Sequence, residues 1–485
     1  MTRLWRSVFT VLFLFSPTFL VATTTETPNV ILFFCDDLGY GDIGPFGGTI
    51  PTPHLDQLAK EGRRFTNFLV TSAVCSASRA ALMTGCYHAR VGIHGAFGPG
   101  ANFGLHPDEE TIATVLRKKG YATAVFGKWH LGSHPEFLPL NHGFDEYFGI
   151  TVSNDMWPYH PEIVNLPDGD PRRNRWPPLW LYEGSERLDG AVTAEMQKYF
   201  TRQFTERAVQ FIEKNKDRPF FVYIPHPMPH VPLFVSGEFN DKSGKGLYAD
   251  TVMEIDWSVG RVVETLRRLN LDKNTLIIFS SDNGPWLSYG DHAGSAGPLR
   301  EGKGTSWEGG VRVPTLFWWS GRIPANSTSD QLATTMDILP TLALITGVPL
   351  PEWKIDGKDI RPLMFGEPGA ESPHEAFAIF FNRQLQAIRD NRWKLVFPHQ
   401  YRTMDRQTLG TGGFPGQYTH RETPLALFDL VNDIGETTDV SARYPEIVRR
   451  LHEAADAIRA ELGEGNEVGP GVRPAGDIRE LRNRR

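Results

Sequence analysis

Four short apolar runs each close on a cluster of polar residues, and segments with helical spacing lie between them. Residues 29–34 lead into Cys35-Asp36-Asp37-Leu38-Gly39, and 123–126 into Gly127-Lys128-Trp129-His130. Residues 220–224 lead into Pro225-His226-Pro227-Met228-Pro229-His230, and 275–279 into Ser280-Ser281-Asp282-Asn283-Gly284. Runs this short and this uniformly apolar read as strands buried on both faces. Phe204, Ala208, Phe211 and Ile212 fall on one helical stripe, and Val252, Ile255, Val259, Val262, Val263 and Leu266 on another. Strands alternating with helices predict an α/β fold with a mostly parallel sheet flanked by helices. Ligands in such sheets sit beyond the carboxyl ends of the strands. The four polar clusters are therefore expected to converge.

Taken singly, each cluster also has an ordinary reading. Asp36 and Asp37 repel each other unless a cation neutralises them, but the pair reads equally as a solvated turn. Lys128 and His130 share one face if the chain stays extended; alone, they suit a surface loop. The prolines around His230 forbid helix and central strand, leaving a stiff loop that holds this histidine, with His226 the weaker candidate. Glycines free the backbone around Lys303 in Gly302-Lys303-Gly304. Asp36, Asp37, Asp282 and Asn283 offer only oxygen ligands. That set suits Ca²⁺ or Mg²⁺ and disfavours zinc, and calcium tolerates irregular geometry better.

The remaining landmark is Val74-Cys75-Ser76-Ala77-Ser78-Arg79-Ala80-Ala81-Leu82-Met83-Thr84-Gly85. It reads as a short helix stopped by Gly85, with unpaired N–H groups at Cys75 and Arg79 one turn along on the same face. Alone it would be a small buried cysteine on a core helix. Cys-x-Ala-x-Arg followed by Ala-Leu-Met-Thr-Gly resembles the maturation motif of the type I sulfatases, whose cysteine is oxidised to formylglycine before the protein folds. Ala77 stands where the usual pattern has proline. The stretches around Asp36/Asp37, Gly127 to Gly132, Asp282-Asn283-Gly284 and Gly302 to Pro314 are similar, in order and spacing, to the arylsulfatase A-like sulfatases. Ala426-Leu427-Phe428-Asp429-Leu430 with Asp433-Ile434-Gly435-Glu436 resembles that family's closing lobe.

The resemblance implies an alkaline-phosphatase-like sheet with a smaller C-terminal antiparallel α+β lobe, and a sulfuric ester hydrolase acting on sulfate monoesters. Carried over, Cys75 becomes formylglycine. One hydroxyl of its hydrate attacks sulfur as the alcohol leaves, and deprotonation of the second expels sulfate and restores the aldehyde. Calcium at Asp36, Asp37, Asp282 and Asn283 joins Arg79, Lys128 and Lys303 in holding the sulfate. Asp282 assists deprotonation of the nucleophile, His130 assists elimination, and His230, with Lys303, protonates the leaving oxygen. Ser153 falls where the family often has a sulfate-contacting serine; His94 has no settled role. The implied partners are a sulfated small molecule or glycan and a formylglycine-generating maturation enzyme. Two other readings fit the same residues: a phosphate or phosphonate monoester hydrolase, and an unmatured protein that binds sulfated glycans without cleaving them.

The rest of the chain sets the context. Residues 1–22 carry Arg3 and Arg6, then an apolar run interrupted at Ser16, Pro17 and Thr18 and short for a retained anchor, the rival reading; the layout is that of a signal peptide, so an exported protein, periplasmic or secreted, is expected. A lysosomal-type location applies only in a eukaryote, where Asn326-Ser327-Thr328 would be a glycan acceptor. No later run is long enough for a stable membrane span. With 50 basic against 57 acidic residues and a formal charge of −7, nothing recommends nucleic acid. Three cysteines are too few for a disulfide framework. Domains are expected at 27–370 (catalytic) and 371–465 (small lobe, with strands near 377–381, 385–388, 394–397 and 426–430), with 466–485 a frayed tail. Residues 135–187 read as loops roofing a cleft, where Trp157, Tyr159, Trp176, Trp180 and Tyr182 could stack on sugar rings.

Overall fold

The computed structural model describes residues 27–483, so the signal-peptide segment lies outside the described residues. The first apolar run is strand β1 (Asn29–Cys35), with all seven residues buried. The large sheet continues through β2 (Arg63–Phe65), β3 (Ala122–Lys128), β4 (Glu146–Ile150), β5 (Leu181–Glu183), β6 (Glu186–Arg187), β7 (Phe220–Ile224), β8 (Thr275–Ser281), β9 (Thr315–Trp318) and β10 (Ser327–Ser329). Their order is β10-β2-β9-β8-β1-β7-β3-β4-β5-β6. The central five, β8-β1-β7-β3-β4, are mutually parallel, as expected of strands buried on both faces. Antiparallel pairings occur only outside them, at β8–β9, β9–β2, β4–β5 and β5–β6.

Helices cover both faces of this sheet: α1 (Pro53–Glu61), α2 (Cys75–Thr84), α3 (Phe200–Lys214), α4 (Leu247–Arg268) and α5 (Ile338–Thr346), while α6 (Pro445–Leu462) belongs to the small lobe. Side chains alternate along β1, so Val30, Leu32 and Phe34 pack with α2 and α5, whereas Ile31, Phe33 and Cys35 pack with α1, α3 and α4. Truncating one of these buried rings, as in Phe34→Ala, would cost about 3–5 kcal/mol. Parallel pairing also brings the carboxyl ends of the central strands to one edge. There Cys35 lies opposite Ser281, and Asp282 N donates to Cys35 O at 3.0 Å.

The small lobe is an antiparallel sheet of β11 (Phe377–Phe381), β12 (Gln384–Arg389), β13 (Trp393–Val396) and, after the hairpin β14 (His399–Thr403) and β15 (Thr419–Thr423), β16 (Ala426–Asp429). α6 packs against it through Leu451, Ala455 and Leu462. The lobe shares the core on the α2 side of the large sheet. Tyr87 lies with its ring 5.7 Å from that of Phe377, and its hydroxyl accepts from Ala378 N at 3.0 Å.

Three expectations are corrected. Residues 135–187 are not all loop, since β4 extends the parallel sheet from within them; the aromatic and proline content hid a five-residue strand. Residues 64–70, whose apolar positions ahead of the Cys75 segment read as one strand, form two short pieces, β2 and a pairing at Phe68–Leu69. Residues 466–483, the described part of the expected frayed tail, are built into the fold together with Gly463–Glu464. They form a hairpin, pair Gly476–Asp477 with Phe103–Gly104, and end in a helix. The charges that suggested solvation are engaged in ion pairs, Arg473 with Glu109 and Arg482 with Glu136. Among the described residues no helix is long and apolar enough to cross a membrane, and Cys35, Cys75 and Cys86 are buried and free.

Candidate active site

Cys75 is the first residue of α2, whose ten residues are all buried and whose end is capped by Gly85 in the left-handed conformation (φ 67°). Placed at that edge, its Sγ lies 3.4 Å from Asp36 Oδ1 and 3.6 Å from Lys303 Nζ. Arg79, one turn along α2, donates to Asp282 Oδ2 from Nε at 3.1 Å and Nη2 at 2.9 Å, and to Lys128 O from Nη1 at 3.1 Å. Lys128, the last residue of β3, pairs with Asp36 and donates to Ser153 Oγ at 3.0 Å. Lys303 reaches Asp37 at 2.7 Å. His230 Nε2 lies 3.5 Å from Asp37 Oδ2. The structure thus gathers Asp36, Asp37, Cys75, Arg79, Lys128, Ser153, His230, Asp282, Asn283 and Lys303 at the carboxyl edge of the sheet.

His130 reaches the same place by a different route from the one expected. Its backbone is left-handed (φ 57°), so the strand alternation that would put it beside Lys128 ends at residue 128. Its Nε2 lies 2.9 Å from Phe97 O. A carbonyl only accepts, so Nε2 carries the hydrogen and Nδ1, buried and without a partner among the described residues, keeps its lone pair. Burial and the Lys128 charge hold the ring well below the usual histidine range, leaving a neutral base. His226 does not join the cluster. Its Nε2 meets Ser258 Oγ at 3.0 Å, its ring stacks on Phe33, and burial lowers it to about 3, the profile of a neutral core histidine.

The electrostatics follow from three carboxylates and three cations packed out of water. Burial opposes ionisation of Asp36, but Lys128, His230 and Arg79 outweigh it and hold the carboxyl well below its usual range. Asp282 is pushed up to about 7 by burial and the nearby Asp36 charge, against the pull of Arg79. Lys303 is raised although burial alone would lower it, because Asp37 and Cys75 face it. The Cys75 thiol is pushed far above its ordinary range by burial and Asp36, despite Lys128 and Lys303, so an unmodified side chain here is a neutral thiol and a weak nucleophile.

The donor set fits a hard divalent cation. Carboxylate oxygens of Asp36 and Asp37 lie within 4.8 Å of one another and of Cys75 Sγ and a His230 nitrogen; the oxygens suit a hard ion, whereas the sulfur and nitrogen would suit zinc. Asn283 Nδ2 donates to Asp37 Oδ1 at 2.7 Å and to Gly284 O at 2.9 Å, two groups that only accept, which fixes the amide. Its Oδ1 is buried with no partner among the described residues, and the backbone N–H of Asp37 donates to Asp282 Oδ1 at 3.1 Å, which draws the two acidic segments together. Oxygen-rich, acidic and partly unpaired, this group suits calcium or magnesium chemistry.

Several positioning residues escaped sequence reasoning. Phe97 acts through its backbone: its carbonyl meets His130, and its N–H donates to Ser76 Oγ at 3.1 Å. Asp42 steadies the loop after Asp37, accepting from Gly39 N (2.6 Å), Tyr248 Oη (2.6 Å) and Ser295 N (2.7 Å). Trp286 covers Lys303, with Nζ 4.4 Å from its ring, and its ring lies 5.4 Å from that of His230. Of the five aromatics that suited sugar stacking and loop packing equally, Trp176 alone lines the cavity beside the cluster. Trp157 is a core residue donating to Val192 O, Tyr159 is exposed, Trp180 lies under Arg187, and Tyr182 packs on the core from β5. None of the gathered side chains lines that cavity itself, which adjoins them through Trp286; a larger one of about 510 Å³, near His94 and the C-terminal hairpin, adjoins them only through Phe97, the backbone partner of His130.

Comparison with known proteins bears on this site. The Sulfatase family model matches residues 28–348, and the model for the C-terminal region of aryl-sulfatase matches residues 372–470. Arylsulfatase A of Homo sapiens is 35% identical over 469 residues, covering 91% of this chain and 90% of its own length. Among solved structures, the PsFucS1 sulfatase from Pseudoalteromonas sp. superposes with a TM-score of 0.80 at 26% identity, covering 92% of each chain. Ps i-CgsB in complex with k-i-k-neocarrahexaose superposes with a TM-score of 0.73 at 30% identity, covering 89% of this chain and 93% of that one.

Proposed function

The chain belongs to the sulfatase family and is a sulfate-ester hydrolase; from that premise we propose that formylglycine made from Cys75 is its nucleophile, calcium its metal, and a carbohydrate sulfate monoester its substrate. The observation that carries the mechanism is the position of Cys75 Sγ, 3.4 Å from Asp36 Oδ1 and 3.6 Å from Lys303 Nζ, with Arg79 and Lys128 beside the same carboxylates. The carbohydrate is supported by the neocarrahexaose complex of a solved neighbour. Asp36, Asp37, Asp282 and Asn283 would hold the metal. Bound there, calcium would polarise the sulfate, and the aldehyde, as its hydrate, would offer one hydroxyl to sulfur and a second whose deprotonation frees sulfate.

The chain's own side chains do the rest. Arg79, Lys128 and Lys303 grip the sulfate oxygens and offset charge as it builds, with Ser153 donating alongside Lys128. Asp282 takes the proton of the attacking hydroxyl. His230 holds a hydrogen at Nδ1 against Val231 O, so it is as the imidazolium that its Nε2, which faces the cluster, passes a proton to the departing alcohol, with Lys303 close by. His130 accepts at Nδ1 the proton whose loss releases sulfate. Cys75 is 3% exposed, so a formylglycine-generating enzyme would have to act before folding.

Peptide mass analysis of residue 75, paired with turnover of matched aryl sulfate and aryl phosphate, tests this reading. Conversion lowers the peptide mass by about 18 Da and should accompany sulfate turnover. An unmodified Cys75 in a protein that binds sulfated sugars without cleaving them would favour the binding-protein reading. A preference of roughly tenfold or more for phosphate would favour a phosphate-ester hydrolase.

A further inference from the structure

Beside the cluster lies a cavity of about 430 Å³, within the roughly 300–1,000 Å³ typical of small-molecule sites. Trp286 lines it and also touches the reaction side, against Lys303 and His230. Trp286 therefore forms a wall shared by the cavity and the side of the cluster where His230 stands. Two excursions that the sheet itself does not need supply further lining. The segment between β4 and β5 brings Asp155 and Trp176, and the β14–β15 hairpin brings Arg402 and Tyr418. Arg402 is fixed there, its Nε donating to Lys303 O at 3.1 Å and its guanidinium 4.6 Å from the Tyr418 ring.

Asp155 is the side chain that this arrangement does not explain. It stands two residues after Ser153, whose hydroxyl meets Lys128, so it occupies the seam between the sulfate-holding cations and the cavity. Its Oδ1 is buried and has no hydrogen-bond partner among the described residues. Burial alone would favour the neutral acid, but His230, a hydrogen bond from Ser153, Lys128 and Lys303 hold the carboxyl below its ordinary range. An ionised carboxylate only accepts, and a buried acceptor left unpaired costs about 1–3 kcal/mol or more. A ligand hydroxyl removes that cost; an apolar ring does not.

Resting on the sulfatase reading above, we propose that Asp155 is a specificity-determining residue that accepts a hydrogen bond from a hydroxyl neighbouring the sulfated carbon. The cavity then takes a polyhydroxylated sugar unit as the leaving alcohol in preference to an apolar aryl or sterol alcohol. Trp176 and Tyr418, each with a guanidinium 4.6 Å from its ring (Arg175 and Arg402), wall the cavity on the C–H side of such a ring, while Asp155 reads its hydroxyl edge. Sites built to hydrogen-bond a substrate hydroxyl reject analogues lacking it strongly, because the protein group is left unpaired.

The test uses full-length protein with formylglycine at residue 75 verified by mass. Probes are 4-methylumbelliferyl sulfate and a panel of 4-O- and 6-O-sulfated galactose, N-acetylgalactosamine and N-acetylglucosamine. We expect the wild type to cleave at least one sugar sulfate. Asp155→Asn should lower the ratio of kcat/KM on that sugar to kcat/KM on the aryl sulfate by about 10–100-fold, and Trp176→Ala by about 3–10-fold. Should Asp155→Asn fail to fold, Trp176→Ala reads the same ratio. Equal losses on both substrates, or an unchanged ratio, overturn the assignment. Aryl turnover with no sugar sulfate cleaved overturns the sugar class while sparing the mechanism. No turnover of any sulfate sinks the mechanism and this proposal together.

Discussion

Lys303 and Glu308 stand five residues apart on one glycine-rich segment, yet they belong to two different buried charge clusters. Glu308 sits where the two lobes meet. It pairs with Arg389, with Lys394 at 3.2 Å and with Arg312 at 3.5 Å. Each of these cations has a second anchor: Lys394 on Ser306 O and Glu436, Arg389 on Asn67 Oδ1, and Arg312 on Thr66 O. Lys303 lies at the sheet edge, where carboxylates and cations are also paired, but Asn283 Oδ1, His130 Nδ1 and Asp155 Oδ1 have no partner among the described residues. A cavity opens beside the second cluster. Buried charge by itself therefore does not mark a site. At the junction Glu436 Oε1 also lacks a hydrogen bond, but it lies 2.7 Å from Lys394 Nζ; what sets the sheet edge apart is acceptors with neither a hydrogen bond nor a paired cation, next to open volume.

Substitutions should separate the two clusters, activity without fold on one side and fold without chemistry on the other. The largest effect is expected for Cys75→Ala, which should cut kcat/KM by roughly 10⁴-fold or more, yet leave calcium binding measurable by calorimetry. Full activity after this change would end the mechanism. Asp37→Ala should abolish calcium binding in the same assay and lower turnover by roughly 10³-fold. Dialysis of the wild type against a chelator should reproduce that loss, with calcium restoring activity and zinc failing to. His230→Gln should lower kcat/KM by about 10²–10³-fold, and His226→Gln by less than about threefold. Equal effects of the two histidine changes would move the leaving-group acid elsewhere.

Most of the fold could be read because it rests on burial. β1, β7 and β8 are uninterrupted apolar runs, and α3 and α4 carry clean stripes. β4 was missed because Glu146-Tyr147-Phe148-Gly149-Ile150 carries a polar residue and a glycine amid aromatic loops. That glycine is needed where it stands: a Cβ on Gly149 would lie 1.8 Å from Gly127 O. Within the site, the acids, lysines and Cys75 could be named because strand ends and the motif announce them. Phe97 and Asp42 could not, since one acts through its backbone and the other through partners at positions 248 and 295 that only the folded chain brings near. The tail was misread because charge-rich sequence suits solvent as well as it suits ion pairs; the partners at Glu109 and Glu136 are more than 340 residues away.

At the lobe junction the expected losses are in stability. Lys394→Met removes one cation from between Glu308 and Glu436 and leaves both acids buried, which should cost about 3–5 kcal/mol in urea unfolding. Turnover per folded molecule should fall far less than for any of the substitutions at Cys75, Asp37 or His230. A smaller effect isolates the charge itself. Burial opposes ionisation of Glu308, but Arg389, Lys394 and Arg312 hold its carboxyl down to about 2, against 4.5 ordinarily. A carboxyl depressed in the folded state contributes stability that is fully present above its unfolded value and is lost as pH falls through the folded one. The window is therefore pH 4.5 down to about 2. Wild type should exceed Glu308→Gln by about 1–3 kcal/mol at pH 7, and the gap should narrow as unfolding is repeated at pH 4 and then pH 3. A gap that stays constant across these pH values would mean that Glu308 holds the junction by shape and hydrogen bonding, and the contrast with the sheet edge would lose its electrostatic half.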